Sequence, residues 1–231
     1  MPDYFLSDVH LRLDRPERSA RLARLVDRLG PGDRLTIVGD LCDFWFAARQ
    51  YKANPMGCAG LRSLARFRDR GGSMVVLAGN HDAWLGPFYE RTLGARFVAD
   101  SLDLVLGGLR VHVAHGHRVG ARTSWKAVME SRAFLAGFRS LPGPAADALE
   151  SLLDSTNRSH QEAFDRRGLD IFRAFAATLG DRADLVVLGH VHKPLDTGEG
   201  RPRLVVLGGW HEKSSHLFVE DGRAEHVIEG G

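Results

Sequence analysis

The sequence is poor in cysteine, in long apolar runs and in excess charge of either sign. Its two cysteines, Cys42 and Cys58, fit no spacing typical of a thiolate metal site or a redox motif. No apolar run approaches the roughly 20 residues of a membrane-spanning helix. The 31 Lys and Arg residues nearly balance the 29 Asp and Glu residues, which leaves a net charge of +2. This balance excludes the strongly basic surface of a nucleic-acid-binding protein, so we expect no nucleic-acid partner.

The apolar content is, by contrast, sufficient for a full core. Of the 231 residues, 44% are hydrophobic, which predicts one domain, with room for an inserted subdomain. Apolar residues 4–6 follow Met1 almost at once, so we expect no signal peptide, and the scarcity of cysteine favours a cytoplasmic protein. Any membrane contact would then be peripheral. The sequence leaves the oligomeric state open.

Apolar runs separated by glycine-rich turns predict an α/β protein. Helical spacing predicts helices over residues 16–29 and about 60–70. Between residues 118 and 182 long helical stretches predict a two-helix cap, inserted into a core formed by residues 1–117 and 183–231. The predicted strands cover residues 4–6, 35–38, 74–78, 102–106, 109–114, 185–188, 204–207, 215–219 and 224–228.

Five polar clusters share one composition and one position in this pattern. Each consists of carboxylates, imidazoles or an amide, and each follows the C-terminal end of a predicted strand. Loops at that edge of a layered α/β fold converge and bind ligands, so we expect the clusters to meet in one pocket. Glycine before Asp40, Asn80 and His190 is expected to let the backbone turn sharply. The clusters are Asp8-Val-His10, Gly39-Asp40-Leu-Cys-Asp43, Gly79-Asn80-His81-Asp82, His115-Gly-His117 and Gly189-His190-Val-His192.

Oxygen and imidazole ligands without thiolates suit manganese, iron(II) or zinc, and a set of this size predicts two adjacent ions. Ligands two residues apart, such as Asp8 and His10, point to one side of an extended backbone. Asp40 is the expected bridge, because a carboxylate offers one oxygen to each ion. The predicted metal ligands are Asp8, His10, Asp40, Asn80, His115, His190 and His192.

Two adjacent divalent ions lower the pKa of a shared water toward about 7, and the resulting hydroxide attacks phosphorus. We therefore expect a dinuclear metal-dependent phosphoesterase. His81 is the predicted catalytic residue, which donates to a phosphate oxygen or protonates the leaving group. Asn80 and His81 are also predicted to contact substrate, and Asp43 and Asp82 to orient imidazoles.

Each cluster alone has an ordinary structural explanation, such as a turn or a cap, and only their joint occurrence after successive strands favours a site. The remaining histidines carry less weight. His112 is expected to be a sheet residue, and His160, His216 and His226 are expected on the surface. His117 and His211 lie close to the predicted site and stay undecided.

In order and content the clusters resemble the calcineurin-like metallophosphoesterase superfamily. Its motifs D-x-H, G-D-x-x-D, G-N-H-D/E, H and G-H-x-H match them one by one across nearly the whole chain. The resemblance implies a four-layer αββα sandwich, here with the helical cap inserted. It also implies that one metal ion is held by Asp8, His10, Asp40 and His192. The other is then held by Asp40, Asn80, His115 and His190.

A narrower resemblance is to the UDP-2,3-diacylglucosamine diphosphatases of lipid A synthesis. It rests on residues 7–11, 38–46 and 206–211 and on the helical insertion after His115. It implies hydrolysis of UDP-2,3-diacylglucosamine to UMP and 2,3-diacylglucosamine 1-phosphate, with two Mn²⁺ ions, on the cytoplasmic face of the inner membrane. The cap would hold the acyl chains. The best-known branch of that family has arginine where this chain has His81, and many members have aspartate where it has His117.

Two arginines of the predicted cap are expected to bind substrate: Arg122, in the basic stretch 118–139, and Arg158, in the polar stretch 155–159. Two other functions stay open. The same site would also suit a nucleotide or another phosphoester, because the metal ions engage only the phosphate. A non-catalytic scaffold on this fold would have lost a metal ligand or the histidine of Gly79-Asn80-His81-Asp82, and the sequence retains both.

Overall fold

The computed structural model describes residues 1–12, 15–43, 55–120 and 167–230. Three longer helices flank two β-sheets: α1 (Pro16–Arg28), α2 (Ala59–Asp69) and α3 (residues 167–179). Short helical turns occupy Pro55–Gly57, Ala83–Leu93 and Gly180–Arg182. The strands are β1 (Asp3–Leu6), β2 (Arg34–Val38), β3 (Ser73–Leu77), β4 (Arg96–Val98), β5 (Ser101–Leu106), β6 (Leu109–Ala114), β7 (Leu185–Leu188), β8 (Leu195–Asp196), β9 (Arg203–Val206), β10 (Ser214–Glu220) and β11 (Arg223–Glu229).

The first sheet has the order β11-β10-β1-β2-β3-β4, and the second has the order β5-β6-β7-β9-β8. Strands β1 to β4 run parallel, as do β6, β7 and β9, whereas the hairpin strands at the sheet edges are antiparallel. Each sheet therefore presents the C-terminal ends of three or more parallel strands at one edge. Parallel strands buried on both faces read as continuous apolar runs, as in Leu185–Leu188.

The core consists of three apolar layers. Helices α1 and α2 pack on the outer face of the first sheet through residues such as Leu22 and Leu61. Phe5, Val38 and their neighbours fill the space between the two sheets. Helix α3 packs Phe172 and Ala176 on the outer face of the second sheet, against Val186, Leu188 and Leu204. The molecule is therefore a four-layer αββα sandwich, as the sequence predicted.

The predicted strands and both predicted helices are present, with ends within two residues of the prediction. Strands β4 and β8 were not predicted, because three and two residues are too short to show an apolar pattern. The predicted cap over residues 118–182 ends in α3, which packs on the second sheet. Residues 121–166, including Arg122, Arg158 and His160, lie outside the described residues. Among the described residues no helix is long and apolar enough to cross a lipid bilayer.

Candidate metal centre

The predicted ligands lie close together, in loops that follow the C-terminal ends of the parallel strands of both sheets. Loops after β1, β2 and β3 of the first sheet carry oxygen donors, and loops after β6 and β7 of the second sheet carry imidazoles. Three groups of potential metal ligands form around this edge. One of them, His10, Asp40 and His81, shares His10 with the first cluster defined next and Asp40 with the second. The first cluster is Asp8, His10 and His192, and the second cluster is Asp40, His115 and His190; within each, one donor atom per residue lies within 4.8 Å of the others.

In the first cluster Asp8 and His10 are buried, whereas the side chain of His192 is 24% exposed. Oδ1 of Asp8 lies 3.8 Å from Nε2 of His10 and 3.7 Å from Nε2 of His192. The two imidazole Nε2 atoms are 3.2 Å apart. Oδ1 of Asp8 is buried and has no hydrogen-bond partner among the described residues. A buried carboxylate oxygen without a donor is costly, so its position between two imidazole nitrogens fits a cation.

The second cluster centres on Asp40. Oδ2 of Asp40 lies 3.3 Å from Nε2 of His115, and that nitrogen lies 3.2 Å from Oδ1 of Asn80. The same carboxylate oxygen is 3.9 Å from Nε2 of His10, so Asp40 lies between the two clusters. Carboxylate, amide and imidazole donors in two adjacent groups fit a pair of divalent ions.

The backbone at the site adopts a sparsely populated conformation. Asp8, His10, Asp40 and His190 have φ values of 52°, 49°, 51° and 66°, in the left-handed region that non-glycine residues rarely adopt. Such strain persists only where the surrounding structure fixes it, and it concentrates at functional sites. The expectation that Asp8 and His10 converge from an extended backbone was wrong. They converge from a loop, where the left-handed turns aim both side chains inward.

Two glycines are required by close approach. A Cβ on Gly39 would lie 2.5 Å from Nδ1 of His115, and the φ of Gly39 is +80°. A Cβ on Gly79 would collide with the side chain and backbone nitrogen of Asp40. Gly79 has no left-handed φ, so the predicted sharp turn is not its reason. It is glycine because Asp40 occupies the space.

Asp82 supports the loops that carry these ligands. Its carboxylate accepts the backbone N–H groups of Leu41 at 2.8 Å and of Gly79 at 3.0 Å, and the hydroxyl of Tyr89 at 2.7 Å. It also accepts the N–H of Asp40 at 3.3 Å. Burial, followed by the charge of Asp40, raises the pKa of Asp82 to about 6. The prediction that Asp82 orients an imidazole was wrong, because its oxygens are taken by the backbone.

A family model described as calcineurin-like phosphoesterase matches residues 1–194. The chain belongs to the calcineurin-like phosphoesterase family. Members of this family hydrolyse phosphoesters with divalent metal ions, so the protein is a hydrolase, and both clusters of this phosphoesterase could hold a metal ion.

Three curated relatives cover 96% of this phosphoesterase, and all three are named UDP-2,3-diacylglucosamine hydrolase. The protein of Aeromonas salmonicida is 29% identical, with 91% of its own length covered. That of Stenotrophomonas maltophilia is 29% identical with 96% covered, and that of Neisseria meningitidis is 24% identical with 95% covered. Among solved structures, an archaeal phosphodiesterase superimposes over 99% of both chains at 12% identity with a TM-score of 0.48, a likeness too distant to inform function.

His81 of the phosphoesterase stands beside the ligands and is half-buried. Its Nδ1 lies 3.3 Å from Oδ1 of Asp43, and its Nε2 lies 4.0 Å from Oδ2 of Asp40. Asp43 is thus an ion-pair partner of this imidazole, and its role in orienting His81 stays a prediction. Burial alone would lower the pKa of His81, but Asp40 and Asp43 outweigh it and raise the pKa to about 9. The two carboxylates therefore favour the charged, donating form of His81.

The pKa values of two other imidazoles at the site, His10 and His115, are shifted in opposite directions. Burial, with the nearby His81, holds the pKa of His10 well below its ordinary value, which keeps His10 in the neutral form that binds metal. Burial also acts to lower the pKa of His115, but Asp40 and Asp8 outweigh it and raise the pKa to about 10. A divalent cation and a proton compete for the same Nε2 of His115, because both use its lone pair.

Two undecided histidines lie at the site. The ring of His117 lies 5.3 Å from that of His115. Nε2 of His211 lies 3.1 Å from Nδ1 of His192. His211 follows β9, so the rule that identified the five clusters, a polar side chain just after a strand, also applied to it.

The other histidines divide between confirmed and corrected predictions. His112 is a residue of β6 paired with Asp103 at 2.7 Å, as expected of a sheet residue. His216 was expected on the surface and is buried, because β10 is covered on both faces over most of its length. His226 is half-buried, with its Nε2 2.8 Å from Oγ of Ser215.

Proposed function

We propose that the protein hydrolyses the diphosphate bond of UDP-2,3-diacylglucosamine, giving UMP and 2,3-diacylglucosamine 1-phosphate. One observation carries the chemistry: Asp40 lies between two adjacent groups of carboxylate and imidazole donors at the edge of both sheets. The substrate is supported by the shared name of the relatives at 24–29% identity over 96% of the chain.

The residues of the two clusters would hold two divalent ions. We assign Asp8, His10, Asp40 and His192 to one ion, and Asp40, Asn80, His115 and His190 to the other, with Mn²⁺ as the proposed metal. When bound, two such ions lower the pKa of water toward about 7, which yields the attacking hydroxide, and offset the charge of the phosphates.

His81 supplies a proton donor beside the reacting phosphate in this proposal. Asp40 and Asp43 favour its charged form, its side chain is partly exposed, and its Nδ1 lies 3.3 Å from Oδ1 of Asp43. We assign it to a phosphate oxygen or to the leaving phosphate of the sugar, where a positioned donor is worth roughly two to four orders of magnitude in rate. We also assign Asn80, whose Oδ1 lies 3.2 Å from Nε2 of His115, to the same phosphate.

The remaining substrate contacts are proposed for the segment 118–182. Arg122 and Arg158 would bind polar groups of the substrate, and the apolar side chains of the segment other than those that α3 packs on the second sheet would cover the acyl chains. In this proposal the core, residues 1–117 and 183–231, performs the hydrolysis at the cytoplasmic face of the inner membrane, with peripheral contact to the lipid.

The direct test is turnover of UDP-2,3-diacylglucosamine by purified protein supplied with Mn²⁺, with UMP measured as product. In H₂¹⁸O the heavy oxygen should enter UMP, because water attacks the α-phosphorus. UDP-N-acetylglucosamine, which lacks the acyl chains, is the matched control and should turn over far more slowly. Hydrolysis of small aryl phosphodiesters or nucleotides alone, with the lipid substrate untouched, would instead establish another phosphoester as substrate.

A further inference from the structure

His192 has a hydrogen-bonding partner on the side away from the first cluster. Its Nδ1 lies 3.1 Å from Nε2 of His211, and Nδ1 of His211 lies 2.8 Å from the guanidinium of Arg18. Arg18 also donates to the carbonyl oxygen of His10 at 3.3 Å. One line of contacts therefore runs from helix α1 to a residue of the first cluster.

The same helix fixes the loop that carries His211. Arg21, three residues after Arg18, donates to the carbonyl oxygens of Trp210 at 2.7 Å and of His211 at 2.8 Å. The indole of Trp210 is fully buried and donates to the carbonyl oxygen of Ser215 at 3.1 Å. The carbonyl groups before and after the backbone nitrogen of His211 are thus both hydrogen-bonded to Arg21, which fixes His211 beside His192.

The direction of these hydrogen bonds follows from arginine, which can only donate. Nδ1 of His211 must accept from Arg18, so a neutral His211 carries its proton on Nε2 and donates it to Nδ1 of His192. A neutral His192 then carries its own proton on Nε2, the nitrogen that lies 3.7 Å from Asp8. A metal ion cannot bind a ring nitrogen that carries a proton.

Metal on His192 requires the opposite order of protons. His192 then holds its proton on Nδ1 and donates it to Nε2 of His211, the arrangement that orients metal-bound histidines. His211 must in turn carry its proton on Nδ1, where it meets the guanidinium of Arg18, donor against donor. A metal ion on His192 and the hydrogen bond from Arg18 to His211 therefore exclude each other.

We propose that His211 is a positioning residue for His192, and that Arg18 competes with the metal ion for the first cluster by holding His211 in the opposing tautomer. Binding of the ion releases Arg18 from His211. This inference rests on the metal ligands assigned in the proposed function.

The first test measures the Kd of Mn²⁺ for the metal-free full chain, by competition with a fluorescent chelator. The measurement is made in the wild type and in a His115→Ala background, which isolates the first cluster. Arg18→Met keeps the aliphatic stem and removes the donor, so Mn²⁺ should bind about tenfold more tightly. His211→Ala removes the partner of the Nδ1 proton of His192, so Mn²⁺ should bind about 10–100-fold more weakly.

Two further variants make the test specific. The double variant Arg18→Met/His211→Ala should bind Mn²⁺ no more tightly than His211→Ala, because Arg18 opposes the ion only through His211, whereas its contact with the carbonyl oxygen of His10 supports the loop of a ligand. Arg24→Ala, an exposed arginine of the same helix, is the matched control and should leave the Kd unchanged. Unchanged or weaker binding in Arg18→Met, or a double variant that binds more tightly than His211→Ala, would overturn the proposal.

A second readout needs no variant. In protein labelled with ¹⁵N-histidine, His211 should show an unprotonated Nδ1 and a protonated Nε2 before metal is added, and the reverse after addition of diamagnetic Zn²⁺. A tautomer that Zn²⁺ leaves unchanged contradicts the inference alone, provided that the wild type binds two ions. A wild type that binds none contradicts the proposed function itself.

Discussion

The two sheets contribute to the metal centre in different ways. Loops of the first sheet supply the oxygen donors Asp8, Asp40 and Asn80, and backbone hydrogen bonds connect these loops to one another. The N–H of Asp8 donates to the carbonyl of Gly39 at 3.2 Å, and that of His10 to the carbonyl of Asp40 at 3.0 Å. The first sheet therefore builds its part of the site from its own hydrogen bonds.

The imidazoles of the second sheet depend on the first. Nδ1 of His115 donates to the carbonyl oxygen of Val38 at 2.8 Å, and the backbone N–H of His190 donates to Oδ2 of Asp8 at 2.8 Å. Both bonds cross from one sheet to the other. The site is thus asymmetric: damage to the first sheet should spread to both clusters, whereas damage to the second should stay local.

The largest effect is expected from Asp40→Ala. The carboxylate lies between both clusters, so its loss should remove both ions and reduce hydrolysis to background. Elemental analysis of the purified variant after incubation with Mn²⁺ checks this. Retention of two ions with full activity would show that Asp40 is no bridge.

His115→Ala should disrupt the second cluster and leave the first cluster intact. The second cluster loses its innermost imidazole, but Asp8, His10 and His192 are held without it. One Mn²⁺ per chain should remain, measured by the same elemental analysis. Loss of both ions would mean that the two sheets support the centre equally.

His81→Ala tests a residue of the first sheet that we assign to the substrate rather than to a metal ion. Two bound ions should remain, while kcat falls by roughly two to four orders of magnitude. His81→Asn, which keeps a neutral donor, is the matched variant and should retain more activity. If the metal content collapses in His81→Ala, His81 is a ligand and the assigned role is wrong.

Tyr89→Phe probes the support beneath the first-sheet loops. The variant removes one donor from the buried Asp82, which should lower the free energy of unfolding by about 1–3 kcal/mol. At this chain length each kcal/mol lowers Tm by roughly 2–4 °C. Tyr4→Phe, on β1 and outside this network, is the control and should leave Tm nearly unchanged. Equal losses of Tm in the two variants would mean that the hydrogen bond from Tyr89 to Asp82 does not stabilise the loops.

The smallest effect concerns pH and His216 of β10. Burial, reinforced by Arg28 and partly opposed by Glu229, lowers the pKa of His216, so the folded state favours its neutral form. This stability is present above the unfolded pKa of about 6.5 and is lost as the pH falls below it. Between about pH 7.5 and 5.5, His216→Phe should therefore lose less unfolding free energy than the wild type, as measured by denaturant titration, with metal content unchanged. An equal loss in both proteins would mean that His216 titrates normally.

The sequence predicted the sheets well because their central strands are buried on both faces. Runs such as Leu185–Leu188 are short, apolar and followed by glycine, which is typical of buried strands, and the rule that polar residues follow strand ends located the predicted ligands. The roles of Asp82 and His211 were not predictable in this way. The position of Asp82 depends on backbone donors of the loop after β2, about 41 residues earlier, and that of His211 on a helix about 190 residues earlier in the chain. Contacts of that range leave no local pattern.

The apolar layer between the sheets has a consequence for catalysis. Phe5, Val38, Leu77, Val113 and Val187 separate the sheet that carries the carboxylates from the sheet that carries most of the imidazoles. Their combined volume acts as a spacer for the metal centre, because close-packed interiors transmit a change of even one methylene. Activity is therefore adjustable from deep inside the protein, by side chains that never meet an ion or a substrate.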